Sequence, residues 1–155
     1  MNRLAAFALA LASGEAFADT PLADRVGALD LCIGEVGAPA DHADWCKGVV
    51  AEPCLSKPEN ASTVAMVDCI RSETEAWASI LTREYGALVV DLDVRQQASL
   101  RAAQEAWVAF READCRFPSD FVRGSLSRPW SADCMLHHTA DRALALRGFR
   151  DYGAY

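Results

Sequence analysis

The sequence predicts an all-α protein: a small disulfide-stapled helical bundle with two long antiparallel helices. Three observations carry that prediction. Apolar residues recur at three- and four-residue spacing in several blocks, no period-2 run marks a strand, and six cysteines sit in a chain of 155 residues.

The first block reads as an export signal. Asn2 and Arg3 give a short positive start, Leu4 to Leu11 is apolar, and Ala16-Phe17-Ala18 forms an A-x-A cleavage site. Residues 1–18 are therefore expected to be a signal peptide, cleaved near Ala18, with residues 19–155 as a single helical domain in the periplasm or medium. The apolar run falls short of the ~20 residues that cross a bilayer, no comparable run follows, and no cysteine stands just after it. Neither a membrane anchor nor a lipid attachment is expected.

Cleavage there removes one base (Arg3) and one acid (Glu15), so 14 Lys+Arg face 21 Asp+Glu and the net charge stays at −7. That sign argues against nucleic acid, which selects a basic patch, and permits association with a cationic protein, although solubility alone also accounts for it. Cys32, Cys46, Cys54, Cys69, Cys115 and Cys134 all lie in the mature part. An even count in an oxidising compartment reads as three disulfides, with about 15 formal pairings. No C-x-x-C pair supports a zinc knuckle.

Residues 21–34 open with Pro21 and carry Leu22, Val26, Leu29 and Ile33, which predicts a short amphipathic helix. Gly34, Gly37 and Pro39 break it. Asp41 to Val50 forms a second helical piece, and Pro53 with Pro58 argues against its continuation. From a cap at Ser62 or Thr63, a long helix runs to about Asp91 with Met66, Cys69, Ile70, Trp77, Leu81, Tyr85 and Leu88 on one face. A tight turn near Leu92 leads to a second long helix, Asp93 to Cys115, with Leu100, Ala103, Trp107 and Phe110 facing one way. Pro118, Gly124 and Pro129 make residues 116–133 a loop, and Asp133 to Phe149 closes the bundle. The two long helices are expected to pack on each other, burying Trp77, Tyr85 and Trp107 between them. Cys115 ends one helix and Cys134 begins the next, so a bridge between them would tie both ends and close the loop.

The run Leu100 to Cys115 resembles L-x-x-A-Q-x-x-W-x-x-(Y/F)-R-(D/E)-x-x-C of the lysozyme inhibitor LprI N-terminal domain family. Upstream, Cys69, Glu73, Trp77, Leu81 and Tyr85 are similar to that family's C-x-x-x-E helix; downstream, Cys134, Thr139, Arg142 and Leu146 are similar to its C-x4-T-x2-R-x3-L close. The resemblance covers about residues 54–147. The chain departs from the pattern at Thr82, where the family carries Asn, and at Gly124-Ser125, where it carries Gly-Gly-Ser/Thr. The resemblance implies a small exported helical protein that binds and inhibits a cationic lysozyme-type enzyme. The alternative is a structural or accessory cell-envelope protein without lysozyme affinity. The disulfide framework expected with it is Cys54–Cys69 and Cys115–Cys134, leaving Cys32 with Cys46.

Few residues invite a chemical reading. Gln104 and Arg111, seven apart, share a stripe with Leu100 and Trp107, and Arg111 is expected to be a structural guanidinium paired with helix-end carbonyls or Glu73. His137 and Asp141 have metal-ligand spacing but lack a third ligand, so no metal is expected. No G-x-S-x-G, no free thiol and no phosphate-cradling loop is present, so neither a catalytic residue nor a cofactor is predicted. The 116–133 segment mixes Phe117, Phe121 and Trp130 with Arg116, Arg123, Ser125 and Arg128. Phe121, Arg123 and Ser125 are the candidate binding residues, and the competing reading folds the aromatics back over the core.

Overall fold

The computed structural model describes residues 20–36 and 43–153, so the expected signal peptide and the Gly37–Pro39 breaker lie outside the described residues. Helix α1 spans Leu22–Val36, a 3-10 turn Ala43–Cys46, α2 Ala51–Leu55, a second 3-10 turn Pro58–Asn60, α3 Thr63–Asp91, α4 Val94–Phe121 and α5 Ser127–Gly153. No strand occurs among the described residues, and no helix there is long and apolar enough to cross a membrane. The three disulfides are Cys32–Cys46, Cys54–Cys69 and Cys115–Cys134.

Helix limits follow from local chemistry. The Ser62 hydroxyl accepts from the Ala65 N–H at 3.2 Å and starts α3. Asp93 and Gln96 form a capping box, with the Gln96 N–H on Asp93 Oδ1 at 2.8 Å and the Asp93 N–H on Gln96 Oε1 at 2.9 Å. The Gln97 amide then donates to the Val89 and Leu92 carbonyls, closing the end of α3. The expected turn at Leu92 is thus held by three side chains within five residues.

Two expected interruptions are helical. Helix α4 runs through Pro118 to Phe121, and Pro129 sits in the first turn of α5. A proline in a first turn forfeits an N–H that has no intrahelical partner, so it breaks nothing, and Pro53 in α2 is tolerated for the same reason. Of the three expected breakers only Gly124 turns the chain, at φ +83°. The loop expected over 116–133 shrinks to residues 122–126.

Helix α5 lies against both α3 and α4, and those two make little contact with each other. Arg150 pairs with Glu84 at 2.5 Å, and Trp130 shares a hollow with Met66, so α5 runs in the direction of α3. Arg111 bonds Thr139 and Gln104 bonds Arg142, so α5 runs opposite to α4. The two hairpin-linked long helices are therefore antiparallel, with α5 as the surface that each covers. The main core joins Leu29 and Ile33 of α1, Ile70, Ala76, Trp77 and Ile80 of α3, and Leu136, Ala140, Ala143 and Leu144 of α5. Helix α4 contributes only Cys115 to the buried set.

That arrangement corrects the expected burial of the aromatics. Trp77 is wholly buried, whereas Tyr85 and Trp107 are half-buried. An amphipathic stripe as narrow as that of α4 covers one neighbour, and here the neighbour is α5 alone.

Candidate binding surface at the α4–α5 turn

Phe121 is the last residue of α4, and Arg123 and Ser125 lie in the turn beyond it, all three exposed. The turn is bound into both helices: the Val122 N–H donates to the Pro118 carbonyl at 2.9 Å, and the Ser127 hydroxyl to the Gly124 carbonyl at 3.0 Å. Behind it, Cys115–Cys134 joins α4 to α5 and the Ser131 hydroxyl donates to the Cys115 carbonyl. This is a short rigid turn on a cross-linked helical pair, which limits the ordering cost of any contact made there.

The aromatics do not fold back over the core. Phe117, Phe121 and Trp130 are 61, 70 and 59 % exposed, and the Phe117 and Phe121 rings stack at 5.3 Å. Arg116, Arg123 and Arg128 stand among them, and none forms an ion pair among the described residues. A hollow of about 460 Å³ adjoins the turn, with Val67, Arg71, Arg128, Ala132 and Met135 in its wall. The surface offers stacked aromatic area beside multidentate donors, the composition that concentrates binding energy at protein interfaces.

Further along the α4–α5 seam the predicted structural residues meet. Arg111 covers the Trp107 ring at 4.6 Å and donates to Thr139 Oγ1 at 3.1 Å, while Arg142 donates from Nε to Gln104 Oε1 at 2.9 Å. Arg111 pairs with neither a helix-end carbonyl nor Glu73, contrary to expectation. Burial holds both guanidiniums below the ordinary arginine range. Both remain charged at neutral pH.

Glu73 has another task. Fully buried, it accepts the Gly48 N–H at 2.7 Å, the Val50 and Ala51 N–H groups at 2.9 and 2.7 Å, and the Trp77 indole N–H at 3.0 Å. Its carboxylate oxygens are satisfied by three backbone N–H groups around the start of α2, which have no helical partner, and by the Trp77 indole of α3. Sequence reasoning missed this role, and only the C-x-x-x-E spacing from Cys69 hints at it. His137 and Asp141 do not come together: Asp141 pairs with Lys47, and His137 lies 3.6 Å from Asp133. Asp114, Cys115, Cys134 and His138 place their ligand atoms within 4.8 Å, with both sulfurs committed to the disulfide.

The chain is a disulfide-stapled all-α bundle with exposed aromatic and arginine side chains around the α4–α5 turn. The family model described as lysozyme inhibitor LprI matches residues 54–146, and the chain belongs to that family. No curated relative and no solved structure matches it. The match takes in α3, α4 and the α5 core together with the Cys54–Cys69 and Cys115–Cys134 bridges, and leaves α1 and Cys32–Cys46 outside.

Proposed function

We infer that this chain is an exported inhibitor of a lysozyme-type muramidase and that the α4–α5 turn is its docking surface, with Phe121, Arg123 and Ser125 as contacts. Membership of the lysozyme inhibitor family carries the reading. The surface chemistry supports its location. A muramidase cleft holds catalytic carboxylates beside sugar-stacking walls, so an obstructing segment needs cationic donors and an aromatic on a rigid frame. The net charge of −7 draws a cationic enzyme in, and the local arginines address the acidic cleft. Three disulfides suit the periplasm or medium, and cleavage near Ala18 would release residues 19–155 as one domain. A structural or accessory envelope protein without lysozyme affinity is the competing reading.

Titration of lysozyme on cell walls with the wild type and with a Phe121→Ala, Arg123→Ala double variant tests it. Stoichiometric inhibition by the wild type and at least tenfold weaker inhibition by the variant are expected. Equal inhibition moves the surface elsewhere, and an inert wild type removes the lysozyme reading.

A further inference from the structure

A second cleft lies where the α3–α4 hairpin meets the end of α5, on the opposite end of the bundle from the α4–α5 turn. Leu100 and Phe121 are 21 residues apart on α4, which separates the two places by about 30 Å. The cleft has a volume of about 560 Å³, within the range of small-molecule sites. Leu88, Leu92, Leu100, Ala103 and Phe149 form apolar walls, and Arg142 and Arg95 supply its charge.

The electrostatics of this cleft run against those of the chain. Acids outnumber bases 22 to 15 over the whole sequence, yet the cleft is lined by two arginines and no carboxylate. Arg142 is half-buried and forms no ion pair among the described residues. Its Nε is fixed by Gln104, and its Nη2 is buried without a hydrogen-bond partner. This half-buried guanidinium is thus held by a neutral amide at the edge of an apolar hollow, with no counter-anion among the described residues. Arg95 is exposed at the rim and likewise unpaired among the described residues.

We propose that this cleft binds an alkyl carboxylate of fatty-acid type, with the carboxylate on Arg142 and Arg95 and the chain laid along Leu88, Leu92 and Leu100. The apolar walls exceed what a simple anion requires, and the arginines exclude a cationic amphiphile. This assignment stands apart from the inhibitory surface and does not depend on it.

Octanoate is the probe, titrated into the intact protein while methyl and amide NMR signals are followed, with octan-1-ol and octyltrimethylammonium as matched tails. Octanoate is expected to saturate one site below about 1 mM, moving the Leu88, Leu92, Leu100 and Ala103 signals. The alcohol and the cation should bind at least tenfold more weakly. Hexanoate, two methylenes shorter, should bind roughly 10-fold more weakly than octanoate. Arg142→Gln should lose octanoate binding. Arg95→Gln, an exposed change that leaves the packing intact, should weaken it severalfold and keeps the test open if the first variant fails to fold. Unsaturable shifts, shifts outside these residues, or equal binding of octan-1-ol would overturn the proposal. Tenfold tighter binding of acetyl-Leu-Phe free acid would replace the alkyl chain with a peptide terminus and overturn it equally.

Discussion

The Glu73 carboxylate receives the Trp77 indole N–H at 3.0 Å one helical turn along α3, inside a core from which both side chains are fully excluded from water. The same carboxylate holds three backbone N–H groups around α2. Glu73→Ala strands four buried donors, each worth ~1 to 3 kcal/mol when left unsatisfied, so a loss of at least ~4 kcal/mol is expected in urea denaturation. Glu73→Gln keeps one acceptor oxygen and turns an amide N–H toward donors. It should be milder than Ala yet clearly destabilising, and a wild-type midpoint for either variant would show that the cap contributes nothing.

Trp77 and Trp107 should respond unequally. Trp77→Ala empties a sealed site between α1, α3 and α5, at a cost of ~3 to 5 kcal/mol. Trp107 is half-buried beneath Arg111, so Trp107→Ala should cost only ~1 to 2 kcal/mol. Equal losses in thermal melts would place α4 in the core after all.

Local chemistry makes much of the fold legible in the sequence. The turn at Leu92 and the three disulfides follow the expected pattern, because capping residues and half-cystines act over short spans or through family-level spacing. What failed involved partners distant in sequence. The Trp107 stripe reports that one face of α4 is covered, but not that α5 does the covering. The three backbone donors to Glu73 lie 22 to 25 residues away in sequence, where periodicity carries no information. Pro129 misled for a different reason, since a proline in a first turn forfeits an N–H that had no intrahelical partner, whereas α4 carries Pro118 in its last turn at the loss of one helical hydrogen bond. The sequence named Phe121, Arg123 and Ser125 as candidates but left open whether the aromatics fold back over the core, and the acid-free cleft around Arg142 was not legible, because three helices build it.

Acid should reveal the tie between α1 and α3. Asp30 accepts two hydrogen bonds from Arg83, at 2.8 and 2.7 Å, which hold its carboxyl below the ordinary aspartate value of 3.8. A depressed folded pKa gives stability that is present above the unfolded value and is lost as pH falls through the folded one. The pair is partly exposed, so Asp30→Asn should cost no more than ~1 kcal/mol at pH 7. The gap between variant and wild type should close as pH drops below about 4. A gap that persists to pH 2 would mean that the ion pair is not its source.

The Cys115–Cys134 bridge should matter to inhibition as well as to folding. It closes a 19-residue separation, and on the chain-entropy model its removal as Cys115→Ser, Cys134→Ser costs about 3 kcal/mol. The turn carrying Phe121 and Arg123 is anchored beside it, so the reduced constraint should raise the ordering cost of docking and hasten dissociation from lysozyme by roughly tenfold. Salt should act on the opposite limb. The attraction of a −7 chain for a cationic enzyme is long-range and screened, so raising ionic strength from about 0.01 to 0.5 M should slow association and leave dissociation little changed. Surface plasmon resonance separates the two rates: a double-serine variant altered only in association would detach the turn from the interface, and a salt effect confined to dissociation would remove the net charge as the source of the attraction.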